Sequence, residues 1–535
     1  MGSKGHLLKL SLPGMLLGAA LLLPFLHKAY TIDDPPFLLE ARQILKTPLE
    51  PWSFPICWNQ TLVCLAQAGS SGANVREGLM GYVLVPVILA GGAEWPAHLI
   101  QIIFVCWVAV GTVALALRLG YCGGQARAAG LLVVAIPPLL PMANTAMPDV
   151  LALALVLTGL ERILAWKEER KWHQAALAGI AFGLAPYARP HVAVFLPLAA
   201  LWLFDELGIR KAVAQLRREI LLWSPILIAA VVLVAVNYAT RLRGVAGGAV
   251  IGAIEADNLP INLIAYFHYL TFPIPLAIVW LVVHRRKALL LLVPPLIPIA
   301  FAYFLVPGMT VLKELQVAAV LYGMVALAHI LCGYLAKRDR IGTLLGLWLL
   351  IPLSAGIYHH LPLKYMVPVL PAIVLILLRA IPTEPWRRAQ LVYGMMVLLC
   401  SGYSLLLLRA DLDFAGYARR AAAELIAPRV AAGEKVWYAG EWGFYWYAEK
   451  AGATVANPDL VGPRPGELLA VGLMEDGDVI LKHFPKRELV DSRSYDSPHG
   501  RTMGYGAGLY SNRFGLLPWR WNPRATNRYE LWRIH

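Results

Sequence analysis

Charge and cysteine are what this 535-residue chain has least of. Charged residues make up 15% of it and hydrophobic residues 59%, with a mean hydropathy of +0.60. That balance excludes an ordinary soluble protein. Six cysteines are too few for a disulfide scaffold in a chain this long. No GxxxxGK(S/T) loop and no GxGxxG after a strand is present, so no nucleotide-fuelled mechanism is encoded. No Ser/His/Asp order stands out. His359 and His360 lack the spacing of a zinc helix, so no metal site is assigned and no cofactor is implied, with a divalent cation left open.

What the chain does have is apolar runs of membrane-crossing length. About thirteen are read, near 7–27, 97–117, 128–143, 148–165, 174–187, 191–204, 220–240, 264–283, 288–305, 313–335, 341–357, 363–380 and 389–408. Gly78–Gly92 is too short and too rich in Gly and Pro to span, and reads as interfacial or re-entrant. Basic clusters fall in alternate loops: Arg118 and Arg127; Arg162, Lys167, Arg170 and Lys171; Arg210, Lys211, Arg217 and Arg218; Arg285, Arg286 and Lys287; Lys337, Arg338 and Arg340; Arg379, Arg387 and Arg388. The positive-inside rule then predicts a cytoplasmic N-terminus and places everything after Leu408 outside. The first run lacks a small-residue cleavage site and reads as a retained span. The net charge of +14 needs no nucleic acid, because residues 411–535 hold 16 Lys and Arg against 15 Asp and Glu. The excess belongs to the membrane part.

The division expected is a transmembrane part over 1–410, with 28–96 as its first external loop, and an extracytoplasmic α/β domain over 411–535. In that loop Cys57 and Cys64 sit on the oxidising side, where either a bridge or two free thiols is open. Asn59-Gln60-Thr61 matches a glycosylation acceptor. Beyond Leu408, Phe414–Val430 reads as helix, Lys435–Gly440 as strand and Trp442–Lys450 as helix. Asp478–Lys482, Glu488–Ser494 and Tyr529–Ile534 read as further strands. Ser497–Trp519, rich in Gly and aromatics, reads as a mobile loop over the outer membrane face.

Ionisable residues collect on that face. Tyr30–Leu45 (YTIDDPPFLLEARQIL) leaves the first span with Asp33 and Asp34 side by side. Pro35 and Pro36 suit a first helical turn, with Asp34 as its N-cap. Phe37, Leu38, Ala41, Ile44 and Leu45 then share one face, as in an interfacial amphipathic helix. Asp149 opens the fourth span, Arg189 ends the fifth, and His360, Lys364 and Tyr365 lie at the outer end of the twelfth. Singly, Asp149 can be a helix cap and the two cations can snorkel to headgroups. Together they make carboxylates and cations converging on one plane.

Such a set suits transfer from a lipid-phosphate donor. An acceptor hydroxyl attacks the anomeric carbon while a carboxylate takes its proton. The leaving phosphate needs cations rather than an acid. A hydrolase would want two carboxylates facing each other across the bond.

Four ordered stretches resemble the GT-C superfamily of lipid-linked-sugar glycosyltransferases, in the branch holding protein O-mannosyltransferases and aminoarabinose transferases. They are Asp33-Asp34-Pro35 with Leu39-Glu40-Ala41; Met147-Pro148-Asp149; Gly183-Leu184-Ala185 through Arg189; and Leu361-Pro362-Leu363-Lys364-Tyr365 with Pro368 and Pro371. Glu441-Trp442-Gly443-Phe444 with Tyr447 through Gly452 is similar to a motif in the outer domain of some bacterial members. Asp34 stands where Glu is frequent, Arg189 where Lys is usual, and Lys364 where Arg is usual. The resemblance implies an all-α polytopic fold with a small outer α/β domain in the plasma (inner) membrane, and an inverting transferase using a polyprenyl-phosphate sugar. The acceptor would be a glycan, lipid or protein hydroxyl. It implies Asp33 as base, Asp34 and Asp149 as orienting groups, and Arg189 and Lys364 as phosphate ligands, with His360 and Tyr365 beside them. Lys in place of Arg weakens bidentate recognition. The rival reading is a transporter or flippase of lipid-linked precursors, which predicts inverted repeats and charges at mid-membrane; neither is visible.

Overall fold

The computed structural model describes residues 4–51, 54, 78–204, 223–228, 231, 256–270, 311–358, 360–381, 383–456, 461–475, 477–521 and 527–535. Cys57, Cys64, the Asn59 acceptor, His359, the 288–305 run and most of 220–240 lie outside the described residues. Within them, six segments are long and apolar enough to cross a membrane: Gly5–Phe25, Glu94–Arg118, Ala319–Ala336, Arg340–Ile357, Leu363–Ala380 and Trp386–Ala431. The chain is a multi-pass membrane protein.

Proline shapes several of the apolar runs. The 128–143 run is not one helix: Gly123–Ala135 ends at an extended Ile136, and a short helix, Leu139–Ala143, follows. Pro137, Pro138 and Pro141 remove donors and disfavour helical geometry before them. The 191–204 run opens as 3-10 helix over Pro190–Val194. The 341–357 run ends as 3-10 over Ile351–Ile357, and the 363–380 run begins as 3-10 over Leu363–Val369. Arg189, Lys364 and Tyr365 therefore sit at or beside irregular helix ends, which is where backbone can be re-aimed.

The helix after the acidic pair covers Asp34–Ile44. It is buried more fully than an interfacial helix with one apolar face. Asp34, Pro35, Pro36, Phe37, Leu38, Glu40, Ala41 and Ile44 are all buried, while Leu45 is exposed. One side packs on Gly78–Leu89, where a Cβ on Gly81 would stand 2.8 Å from the Glu40 Cβ. Another side meets the helix Trp442–Lys450, with the Arg42 guanidinium 4.1 Å from the Trp446 ring centroid.

The helix Trp386–Ala421 is 36 residues long, roughly 54 Å at 1.5 Å per residue. That exceeds the ~30 Å hydrocarbon thickness of a bilayer. It runs unbroken through residues 410 and 411 and continues as a π-helical turn, Ala422–Ile426, and the short helix Ala427–Ala431.

Beyond it, among the described residues, lie seven strands: β1 (Val436–Ala439), β2 (Thr454–Val455), β3 (Leu468–Gly472), β4 (Arg487–Tyr495), β5 (Met503–Gly504), β6 (Ala507–Gly508) and β7 (Asn527–Ile534). Five form a mixed sheet in the order β2-β1-β3-β7-β4, with β1 parallel to β2 and β3, and β7 antiparallel to β3 and β4. The helix Trp442–Lys450 follows β1. Asp478–Lys482, expected as a strand, is instead mostly a one-turn helix, Gly477–Leu481. The 497–519 segment, expected as a mobile loop, carries the β5-β6 hairpin and is packed inward. Arg501, Thr502, Met503, Ala507, Leu509 and Tyr510 are buried.

Candidate active site

The chain leaves the first span through Lys28–Ile32 and turns sharply into Asp33. Ile32 has a φ of 45°, a left-handed conformation costly for a β-branched side chain. Asp33, not Asp34, occupies the N-cap position, and its side chain makes no cap hydrogen bond. Asp33 Oδ2 instead accepts from Lys364 Nζ at 2.5 Å. The Asp33 side chain is 32% exposed and that of Lys364 only 5%, so a buried cation meets a partly exposed carboxylate.

Asp34 has different partners and is fully buried. Its Oδ2 accepts from the Thr31 amide at 2.9 Å and its Oδ1 from the Ala146 amide at 2.7 Å. It closes the Thr31 turn and ties that turn to the Asn144–Met147 loop. Burial pushes its carboxyl up to about 7, against Lys28 and the two amides that favour the charged form. For Asp33 burial acts in the same direction, but the Lys364 ammonium, with Arg189 and His360, outweighs it and holds the group below the usual carboxylate range. Two adjacent aspartates are thus driven apart in proton affinity.

The second pair is Arg189 and Asp149, joined at 2.8 Å with side chains 6% and 1% exposed. Asp149 starts the helix Asp149–Glu169 and Arg189 ends Trp172–Ala188. The Asp149 Oδ1 is buried without a hydrogen-bond partner. The Arg189 guanidinium lies 5.7 Å from the Phe37 ring centroid, one helical turn past Asp33. Met147 links the pairs: its sulfur is 3.9 Å from Lys364 Nζ, and its carbonyl is held by Gln101 at 2.7 Å. The Tyr365 ring packs on His191 at 4.4 Å between centroids. The structure therefore brings Asp33, Lys364, Arg189, Asp149, His360 and Tyr365 to one locality, with Asp34 next to it.

Sequence reasoning missed the group under Asp34. Lys28 Nζ is fully buried, 2.5 Å from Asp411 Oδ2, and donates to the Asn144 carbonyl at 2.7 Å. Asp411 also accepts from Tyr510 Oη at 2.6 Å and from Thr502 Oγ1 at 3.2 Å. The signal was available: Lys28 and Asp411 are the first ionisable residues beyond the first and last apolar runs, apart from His27 and Arg409. Asn512 closes the same face, donating to Asn262 at 3.0 Å and accepting from the Leu361 amide at 3.1 Å.

No group of three or more metal-ligating side chains occurs among the described residues. The irregular helix ends thus present two cations and two carboxylates together, a set able to hold a phosphate and to accept a proton.

No family model matches the sequence, and no curated protein matches it. Among solved structures the chain is similar to ArnT from Cupriavidus metallidurans. The apo form has 14% identity and a TM-score of 0.47, covering 90% of this chain and 95% of that one. The form bound to undecaprenyl phosphate has 13% identity and a TM-score of 0.47, covering 99% and 98%. It is also similar to the apo oligosaccharyltransferase of Archaeoglobus fulgidus, at 13% identity and a TM-score of 0.42, covering 87% of this chain and 66% of that one.

Proposed function

We propose that the protein is an inverting glycosyltransferase that moves a sugar from a polyprenyl-phosphate donor to an acceptor hydroxyl on the extracytoplasmic face. The observation that carries this is the Lys364–Asp33 contact beside the Arg189–Asp149 pair. A general base already in contact with a cation fits a leaving group that is itself a phosphate. The acceptor oxygen forms its bond to the anomeric carbon, the hydroxyl proton passes to Asp33, and the bond to the phosphate oxygen breaks. The polyprenyl phosphate leaves carrying the released electron pair, and Lys364 and Arg189 neutralise it. Attack opposite the leaving group inverts the carbon.

The same contact supplies an order of events. With Lys364 on Asp33, the carboxylate is a weak base. A donor phosphate competes for the ammonium, and as Lys364 turns to it the proton affinity of Asp33 rises. Binding of one substrate thereby prepares the group that activates the other. Asp34 and Asp149 are assigned as positioning residues, Asp34 through the Thr31 and Ala146 amides and Asp149 through Arg189. His360 and Tyr365 are assigned to the substrate wall.

The proposal carries a topology: about thirteen spans, a cytoplasmic N-terminus in the plasma (inner) membrane, and an outer α/β domain from about residue 411. The deciding experiment incubates the purified protein in lipid with a panel of polyprenyl-phosphate sugars and measures release of polyprenyl phosphate. A donor that releases lipid phosphate with wild type but not with Asp33→Asn supports the reading. Release from no donor, or equal release by both proteins, refutes it.

A further inference from the structure

Arg501 is among the largest fully buried side chains of the protein, 1% exposed. All three of its guanidinium nitrogens are buried without a hydrogen-bond partner. Every other cation buried in the described residues meets a carboxylate: Lys28 has Asp411, Arg189 has Asp149 and Lys364 has Asp33. A guanidinium without such a partner is costly to bury. Among the described residues no carboxylate is in ion-pair contact with it, although Asp496 acts on it at longer range and Arg520 adds like charge. Arg501 and Arg520 face each other across an isolated bridge, with amide-to-carbonyl distances of 2.9 and 3.0 Å.

A cover lies over this side chain. The Tyr505 ring centroid is 4.7 Å from the Arg501 guanidinium carbon, yet Tyr505 is 60% exposed. It stands at the tip of the β5-β6 hairpin between Gly504 and Gly506, and all three have positive φ, of 81°, 49° and 92°. Glycine adopts that conformation freely, and tyrosine does so at a cost. A strained aromatic on a two-glycine tip thus screens a cation that has no ion-pair partner among the described residues.

We propose that Arg501 anchors a binding site for a phosphate-type oxyanion, with Tyr505 as its cover and Arg520 as the second cation. The planar guanidinium fork matches two phosphate oxygens. It shares no residue with the Asp33–Lys364 locality, though Thr502, the next residue, bonds Asp411. Its occupancy is measured without any donor, so its outcome is independent of the transfer chemistry.

The test uses the full chain in phosphatidylcholine nanodiscs and titrates inorganic phosphate against chloride at constant ionic strength. Phosphate should raise the thermal midpoint of wild type in a saturable way. Arg501→Gln should lose that response, and without phosphate should be at least as stable as wild type, because an unpaired buried charge has been removed. Phenylglyoxal labelling of Arg501, read by mass spectrometry, gives a second measure on proteins that keep the arginine. Tyr505→Ala should speed labelling severalfold, and phosphate should suppress it in both proteins. Phosphatidylglycerol nanodiscs without added phosphate separate the sources. Stabilisation and protection there identify a lipid headgroup, whereas a response only to added phosphate identifies a soluble or substrate-borne group. No protection of Arg501 in either arm, or an equal midpoint shift in Arg501→Gln, overturns the proposal.

Discussion

Replacing Asp33 by Asn keeps the side chain's shape and removes its ability to take a proton. On the transfer reading, turnover then falls by roughly two to four orders of magnitude while donor binding persists, a split visible in single-turnover and binding measurements. Lys364→Met acts differently, because it removes the ammonium that opposes burial at Asp33. The acid limb of the rate profile should move to higher pH, and donor affinity should fall. An unchanged limb would show that Lys364 does not set the proton affinity of Asp33. The two aspartates also have opposite linkage to stability. Asp33, held low, contributes stability present above the ordinary carboxylate value and lost as pH falls through its folded value. Asp34, raised to about 7, contributes stability that is full below about 3.9 and is lost as pH rises through 7. Asp34→Asn should abolish that decline in thermal midpoint across mildly acid pH. It should also lower the midpoint overall, because an amide NH2 turned toward the Thr31 or Ala146 N–H replaces an acceptor, at a cost of about 1–3 kcal/mol. The placement of Asp33, Asp149, Arg189 and Lys364 together was legible from motif order. The different surroundings of Asp33 and Asp34 were not, because adjacency in sequence says nothing about which carboxylate faces the Ala146 amide.

Helix Trp442–Lys450 docks on the first loop through one position without a side chain. A Cβ on Gly443 would stand 2.3 Å from the Tyr30 carbonyl oxygen, and the Tyr30 amide donates to Tyr447 Oη at 2.9 Å. Gly443→Ala should therefore push this helix off the turn that carries Asp33, costing about 1–3 kcal/mol by overpacking. Proteolysis of the 436–534 region should quicken, and a stability equal to wild type would contradict the close approach. This helix was legible because its aromatics follow a Gly-Glu break after a strand. β3 was not. Leu468–Gly472 is buried at every residue, so it has no alternation to read, and a short apolar run does not declare its period. Asp478–Lys482 failed in the opposite sense: Val479 and Ile480 have strand-like composition, yet Gly477–Leu481 closes a single helical turn against β3.

Across the whole molecule, the buried Lys28–Asp411 contact fastens the end of the first span to the long helix, and through Tyr510 and Thr502 to the packed 497–519 segment. Removing either partner leaves an uncompensated buried charge. Lys28→Met or Asp411→Leu alone should cost about 3–5 kcal/mol, while the double substitution should recover most of it. Thermal midpoints of the three variants check this, and two single losses that simply add would show that the pair is not coupled. The membrane character was readable in the sequence, because hydropathy is a property of long windows. This pairing lay beyond such windows, since 383 positions separate its partners and each looked like the polar end of its own run. The unbroken Trp386–Ala421 helix, which carries Asp411, also sets a phase relation between the two parts of the chain. One residue inserted on the membrane side of Asp411 would turn all that follows by about 100° and advance it by about 1.5 Å. Asp411 would swing away from Lys28, and the elements that follow the helix would turn with it. Seven inserted residues, close to two whole turns, would restore the angle but lift the sheet by about 10 Å. The helix thus works as a keyed shaft, and its residue count is as much a part of the site as any side chain.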